Sequence, residues 1–315
     1  MRSLIRFIAI SVAWILLAAT ATEIWLHYHS ARGATAILVT AAVPYMVIVG
    51  VVAALIFALL RRWMALCLAV VAVIGVAFTQ APLWVAQTVP AGERFTVVSA
   101  NLMVGSADID ALAAEVESAN PALVALQEVT PAALERIRGS GLASKYPHQY
   151  VVAANLAGGT MLLSKSPLTN QSRTPNTVLN NLGARTDLPR ADSTQILGVH
   201  IAAPINGYAG SWNDELAELR DQMRALPSGP VIVAGDFNAS FDHSQYRALL
   251  GDGYVDTAGQ SGAGFVPTYP TDRLGGQPWV ALDHVIVRGF TAAAFHTFDL
   301  EGSDHRGVVV SLVAS

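Results

Sequence analysis

An α/β domain standing behind three apolar, membrane-crossing helices is the architecture this sequence predicts, on three observations. Apolar residues make up 53% of the 315-residue chain and charged residues only 13%, and the apolar excess sits almost entirely before residue 93. Past that point, short β-type runs alternate with segments of helical periodicity, the pattern of the α/β class. Polar residues able to do chemistry then recur where those runs end, as they do when loops on a rigid scaffold build a site. The change in composition puts the boundary near Pro90 to Arg94. It divides the chain into a membrane unit over 1–90 and a second domain over 91–315.

Ala34 to Leu60 is a run of 27 residues without a charge, and Trp63 to Gly92 is a run of 30, with Arg61 and Arg62 between them. About 20 apolar residues cross the hydrocarbon core of a bilayer, so each run is long enough. Phe7 to Thr22 is shorter, although Leu4 and Ile5 extend it if Arg6 snorkels toward the headgroups. A cleaved signal peptide is the alternative for this first stretch, because Arg2 and Arg6 precede its apolar core and Ala19-Thr20-Ala21 has the form of a cleavage site. Buried core helices are the alternative for the other two, at odds with charge-free runs of this length.

The two arginine pairs, Arg2 with Arg6 and Arg61 with Arg62, flank alternate crossings. Positive charge stays on the cytoplasmic side, so everything after Trp84 is expected outside the cytoplasm. Cleavage of the first segment leaves that orientation unchanged. The expectation is a multi-pass protein of the cytoplasmic membrane with an extracytoplasmic domain. The short loop bearing Glu23, His27, His29 and Arg32 also falls outside, with its histidines expected to be solvated or at headgroup level rather than metal ligands.

Charge and cysteine content narrow the chemistry. From Arg94 onward there are 14 Lys and Arg against 21 Asp and Glu, a net charge of −7, which opposes nonspecific attraction to polyanions. A nucleic-acid partner is therefore not favoured, and no obligate protein partner is inferred. The single cysteine, Cys67, lies inside the third apolar run, so no intrachain disulfide forms and the outer domain depends on its core. One cysteine and no close histidine pair also argue against a structural zinc site.

Along the outer domain, Phe95 to Ala100 reads as a buried strand. Ile109, Leu112, Ala113 and Val116 follow at helical spacing behind Asp108 as cap, and Pro121 ends that helix. Leu123 to Leu126 is a second strand, and Thr130-Pro131 opens a helix closed by Gly139 or Gly141. Gly159 to Ser164, Gln195 to Ile201, Val231 to Ala234, Leu282 to Val287 and Gly307 to Val313 read as further strands, and Asp214 to Leu226 as a helix.

Asn101, Glu128, Asp236 with Asn238, and Asp304 with His305 stand at or just beyond these apolar runs. Such groups are costly to desolvate without partners, and several converging on one cation would satisfy one another. A hard divalent cation takes oxygen ligands, commonly one or two carboxylates with waters and a substrate phosphate, a role that Glu128 and Asp304 fit. Asp236 and Asn238 are two apart, so a strand continuing through them would place acceptor and donor on one face. His305 is the natural general base near neutral pH, with Asp283 as the carboxylate that fixes its tautomer. His200 could bind a phosphate or protonate a leaving group. His284 and His296 are read as structural, and Tyr208, Trp212, Tyr269 and Trp279 chiefly as core or interface packing, with a place along a substrate groove as the alternative for some of them.

Taken in order, Asn101, Glu128, Gly159-Thr160-Met161-Leu162-Leu163-Ser164-Lys165, His200, Gly235-Asp236-Phe237-Asn238, Asp283-His284 and Ser303-Asp304-His305 resemble the endonuclease/exonuclease/phosphatase superfamily, the pancreatic-deoxyribonuclease-like fold. The resemblance covers essentially all of 94–315. It implies a four-layer α/β/β/α sandwich, two mixed sheets face to face with helices outside, and Mg2+- or Mn2+-dependent cleavage of a phosphoester. By position it implies Glu128 as principal metal ligand with Asn101 and Asp304 near the cation. It further implies His305 as the base paired with Asp283, Asp236 as the group aligning the nucleophile, and Asn238 and His200 as phosphate contacts. The domain departs from the family in being compact and in lacking a basic, aromatic insertion for gripping nucleic acid. The resulting expectation is a phosphodiesterase or phosphatase held against the bilayer, acting on a lipid headgroup or cell-envelope phosphoester. An anchored nuclease and a catalytically silent binding module on the same fold are the alternatives.

Overall fold

The structure, a computed structural model, describes residues 1–205 and 207–315. Its N-terminal part is helical: α1 (Arg2–Tyr28), α2 (Ala34–Thr40), α3 (Met46–Leu59) and α4 (Trp63–Gln80). Two stretches, Arg2–Tyr28 and Trp63–Trp84, are long and apolar enough to cross a membrane. The segment expected as one continuous crossing, Ala34 to Leu60, is instead a pair, Ala34–Thr40 and Val43–Leu59, bent by 47°. Pro44 lies at the break, where a ring without an N–H cannot continue the α-helical ladder. The straight part has 17 residues, the lower end of what spans a bilayer. Of the three apolar segments expected to cross, two are thus single helices of sufficient length, and the third counts as a span only if the bent pair is taken as one. Close packing of these helices uses small side chains. Ala13, Ala53, Ala65 and Ala69 pack with Phe57, and a Cβ added at Gly50 would lie 2.7 Å from Val73.

The C-terminal domain contains β1 (Arg94–Asn101), α5 (Ile109–Ala119), β2 (Leu123–Gln127), α6 (Pro131–Gly139), α7 (Gly141–Lys145), β3 (His148–Val152), β4 (Thr160–Ser164), β5 (Thr169–Arg173), β6 (Leu182–Leu188) and β7 (Ala191–His200). It continues through α8 (Ala209–Ala225), β8 (Val231–Asp236), α9 (Ser244–Arg247), β9 (Val255–Asp256), α10 (Thr257–Ser261), β10 (Asp283–Arg288), β11 (Phe290–Phe298) and β12 (Gly307–Ala314). The local signals act as expected. Asp108 accepts the N–H groups of Asp110 and Ala111 at the start of α5, Thr130 caps α6, and Asn120 in a left-handed conformation stops α5 before Pro121.

Two mixed sheets result, in the orders β11-β12-β1-β2-β4-β3 and β5-β6-β7-β8-β10-β9. Pairs β1–β2 and β7–β8 are parallel and the other pairs antiparallel. The inner core joins both sheets through Val97, Leu123, Leu162, Ile196, Ile232, Val285 and Val310. Alternate residues of the first sheet, including Val98, Val124 and Leu163, face outward onto Leu112, Leu134 and Leu142 of α5–α7. Val199, Val231 and Val233 of the second sheet face Trp212, Leu216 and Leu219 of α8. Strands buried on both faces explain why β1, β2, β4 and β8 read as continuous apolar runs.

The helical unit docks on the second sheet's outer layer. Ala31 and Ile37 are buried with Trp212, Phe237 and Tyr246, and Ala41 packs on Val280 and Leu282. Polar contacts fix the fit: Asp242 accepts from His27 and from Gln80, each at 2.8 Å, and His243 Nε2 donates to the Ile37 carbonyl at 2.8 Å. Tyr45 donates to the Trp279 carbonyl at 2.8 Å. His27 is thus buried and paired, correcting its expected solvation, whereas His29 is exposed and stacks on Trp25.

One glycine sets the path of β8 into the site. Gly235 has φ +155°, and a Cβ there would lie 1.9 Å from the Val199 carbonyl oxygen of the neighbouring strand. Any side chain must push β7 and β8 apart just before Asp236. Gly235→Ala is expected to cost at least about 3 kcal/mol or to abolish folding. Gly139→Ala, with nothing within 4 Å, should leave stability unchanged or raise it by up to about 1 kcal/mol. Thermal unfolding of the two variants checks this, and equal midpoints would contradict it.

Candidate active site

Strand register gathers most of the site. Asp236 ends β8, opposite His200 at the end of parallel β7 and opposite Asp283 at the start of antiparallel β10. Residues directly opposite across neighbouring strands point to the same face, so these three side chains converge. The other sheet contributes Asn101 from the end of β1 and Glu128 just beyond β2, and the turn before β12 adds Asp304 and His305. All seven come from one end of the sandwich.

Backbone strain concentrates at the same place. Glu128 has φ +59° and Asn238 φ +47°, and Met103 and Val104 also adopt positive φ. For β-branched Val104 this conformation is costly, and it persists because its N–H donates to Glu128 Oε2. Asn101 Oδ1 accepts the Met103 N–H at 2.9 Å. Its Nδ2 donates to Glu128 Oε1 and to Asp236 Oδ2, each at 3.1 Å. The amide nitrogen, not the oxygen, therefore faces the carboxylates, an orientation that does not match Asn101 as an oxygen ligand.

His305 Nδ1 donates to Asp283 Oδ2 at 2.8 Å, and its Nε2 lies 3.8 Å from Asp236 Oδ2. Asp283 is itself held by strand pairing, while its backbone N–H donates to Thr268 Oγ1 at 3.2 Å. Ser303 Oγ donates to the Asn101 carbonyl and accepts the His305 N–H, tying the final motif to β1. His200 Nε2 stands 3.6 Å from Asp236 and 3.8 Å from Glu128. Its backbone N–H donates to Asn181 Oδ1 at 2.6 Å. Asn238 does not extend the strand with Asp236: β8 ends at Asp236, the Asn238 N–H donates back to Asp236 Oδ1 at 2.8 Å, and its Nδ2 donates to the Ile201 carbonyl.

Burial disfavours charge on His200, Asp236, Asp304 and His305, and neighbouring charges act with or against it. Burial lowers the pKa of His200, keeping it neutral, and raises those of Asp236 and Asp304. For His305 burial also opposes charge, but the carboxylates of Asp283 and Asp236 outweigh it and push its pKa up to about 10. Glu128, Asp236, Asp283 and Asp304 together face a single imidazolium.

That surplus of carboxylates fits a divalent cation. Asp236, Asp283 and His305 each offer a ligand atom within 4.8 Å of the others, but His305 Nδ1 and Asp283 Oδ2 are already spent on each other. Glu128 and Asp304 are less enclosed and line, with Asp236, His200, Asn238 and His305, an open pocket of about 610 Å³. Oxygen donors at a pocket with room for waters and a phosphate suit Mg2+ or Mn2+ better than zinc.

All the residues singled out from sequence thus meet at one site, and His284 does not: it projects to the opposite face and pairs with Asp256 at 3.0 Å. Trp212 is core, but Tyr208 and Tyr269 line the pocket, and the Tyr269 ring lies 4.8 Å from that of His305. Asn181, Thr268 and Tyr269 carry no sequence signal, because their loops lack periodicity.

Residues 98–305 match the model of the Endonuclease/Exonuclease/phosphatase family. A UPF0294 protein of Vibrio parahaemolyticus is 30% identical over 126 residues, covering 39% of this chain and 41% of that protein. A UPF0294 protein of Vibrio cholerae is 31% identical over 122 residues, covering 38% and 41%. The matches thus span about two-fifths of these relatives' length. Among solved structures, D. rerio TDP2 humanized by 14 mutations superposes with a TM-score of 0.59 at 18% identity, over 70% of this chain and 98% of that one. An endonuclease/exonuclease/phosphatase from Beutenbergia cavernae gives 0.54 at 18%, over 70% and 72%. These likenesses show the same fold, and with a family match across about two-thirds of the residues, 208 of 315, the chain belongs to the endonuclease/exonuclease/phosphatase family.

Proposed function

We propose that this protein is a divalent-cation-dependent phosphoester hydrolase anchored in the cytoplasmic membrane, its catalytic domain outside the cytoplasm and its substrate a phosphoester of the membrane or cell envelope. The observation that carries the hydrolase reading is the line Asp283–His305–Asp236 beside Glu128 and Asp304 on one open pocket. Glu128 and Asp304 would hold Mg2+ or Mn2+, with Asn101 orienting Glu128. When bound, the cation offsets charge on the phosphoryl group and on the carboxylates that keep His305 protonated.

The protein's own groups then divide the work. Asp283 fixes the His305 tautomer through Nδ1 and leaves Nε2 to take a proton from water. Asp236, anchored by Asn101 and the Asn238 N–H, aligns that water. Neutral His200 offers Nε2–H to a phosphoryl oxygen, and Asn238 lines the same pocket with its amide turned to Ile201 and Asp236. Retention of all these groups supports an enzyme over a silent binding module.

Membrane anchorage rests on the two long apolar helices and the bent pair. The extracytoplasmic placement rests on the arginine pairs. Among the described residues, no Lys or Arg lines the pocket, which weighs against a phosphate backbone as substrate. D. rerio TDP2 has been crystallised with single-strand DNA product, and at 18% identity that likeness extends to the fold.

With bis(p-nitrophenyl) phosphate at saturating Mg2+, and with an EDTA blank, His305→Ala and Asp283→Asn should each lower turnover by about 10²-fold or more. The double variant should lose little beyond the worse single one, since the pair acts as a unit. His284→Ala should be milder. Near-full activity in His305→Ala with loss in His284→Ala would reverse the assignment. For orientation, alkaline phosphatase fused after Ser315 should be active, and a cytoplasm-dependent reporter there should be silent. The opposite pattern would refute the placement.

A further inference from the structure

Four apolar side chains stand exposed around the mouth of the catalytic pocket: Leu156 at 74%, Val178 at 48%, Ile205 at 45% and Tyr208 at 48%. They come from three separate loops that are clipped together. Asn180, two residues beyond Val178, donates its N–H and its Nδ2 to the Gly158 carbonyl, two residues beyond Leu156. Glu215 of α8, buried at 4% exposure, accepts the Val178 N–H at 2.6 Å with one oxygen and the Ala202 N–H at 2.9 Å with the other. A buried carboxylate thus joins the loop of Val178 to the loop of Ile205 and Tyr208. Holding apolar groups in water at fixed positions costs free energy, and a contiguous exposed apolar rim marks a binding surface.

The position of the rim indicates its occupant. The helical unit docks on Ala239 to Arg247, which follow β8, and on Val280 to Leu282, which precede β10. Both stretches adjoin Asp236 and Asp283, so the helices meet the sandwich at its catalytic end. Tyr208 immediately precedes α8, whose first turns carry Trp212 and Asn213. Trp212 packs with Ala31 and Ile37, and Asn213 accepts from Gln245, which also donates to the Ala31 carbonyl. Tyr208 of the rim thus leads directly into the helix on which the helical unit docks, so rim and docking face share the catalytic end of the sandwich.

The geometry points to an apolar subsite: the rim of Leu156, Val178, Ile205 and Tyr208 receives the hydrocarbon part of an amphiphilic phosphoester drawn from the adjacent leaflet, while the phosphate enters among His200, Asn238 and the carboxylates. This inference rests on the hydrolase reading above and names the substrate class for the same site. Each hydrocarbon group taken from water onto the rim adds to affinity, so binding strengthens with chain length.

The test uses the full chain in nanodiscs, with bis(p-nitrophenyl) phosphate turnover as readout and dibutyl and dioctyl phosphate as inhibitors. Dioctyl phosphate should inhibit the wild-type chain at least tenfold more strongly than dibutyl phosphate. In Leu156→Ser/Ile205→Ser that ratio should fall severalfold toward the value set by partition into the disc, which is common to both proteins. An unchanged ratio in the variant, or no chain-length dependence in the wild type, overturns the subsite. Absence of any cation-dependent turnover of bis(p-nitrophenyl) phosphate would instead overturn the hydrolase reading beneath it.

Discussion

Asp236 holds a carboxylate at 1% exposure, at the end of a central strand, and a carboxylate taken out of water must be met by donors or by positive charge. The surrounding site meets that need. Asn101 and the Asn238 N–H supply hydrogen bonds, His305 supplies charge, and Asp283 keeps His305 in place. The left-handed backbone at Glu128 and Asn238 is tolerated because these contacts over-determine it. Gly235 lets β7 and β8 approach closely enough for His200 and Asp236 to stand opposite each other.

The same end of the sandwich carries the helical unit. Asp242 lies only a few residues beyond Asn238 and gathers His27 from α1 and Gln80 from α4. Removing one partner from such a buried cluster would leave the others unsatisfied, so the helices and the site share one framework. On the anchored reading, the catalytic end is presented to the bilayer surface, where a phosphoester within the leaflet is at high local concentration.

Much of this was legible in the sequence because burial and chemistry left local marks. Apolar runs bounded by Asp108, Thr130 and Pro121 fixed several elements, and the polar residues at the strand ends proved to be the site. β3, β5, β6, β9 and β11 leave no such mark. β5 is exposed along its length, β3 is half-buried throughout, β11 mixes buried and exposed positions and β9 is only two residues long, so neither alternation nor a continuous run announces them. The bend near Pro44 was hidden inside a run judged by its lack of charge. His27 looked like a solvated loop residue because its partner, Asp242, lies 215 positions away. Tyr269 and Tyr208 read first as packing and only second as groove residues, since nothing local distinguishes an aromatic that lines a pocket from one in a core.

The central claim is that carboxylates drawn together by two sheets form a cation site, and direct observation of bound Mn2+ tests it independently of any substrate. Electron paramagnetic resonance of the full chain titrated with Mn2+ should show one site on the wild-type protein and on His284→Ala, and loss or severe weakening of that site in Glu128→Ala. No bound Mn2+ on the wild-type chain, or undiminished binding by Glu128→Ala, would contradict the account.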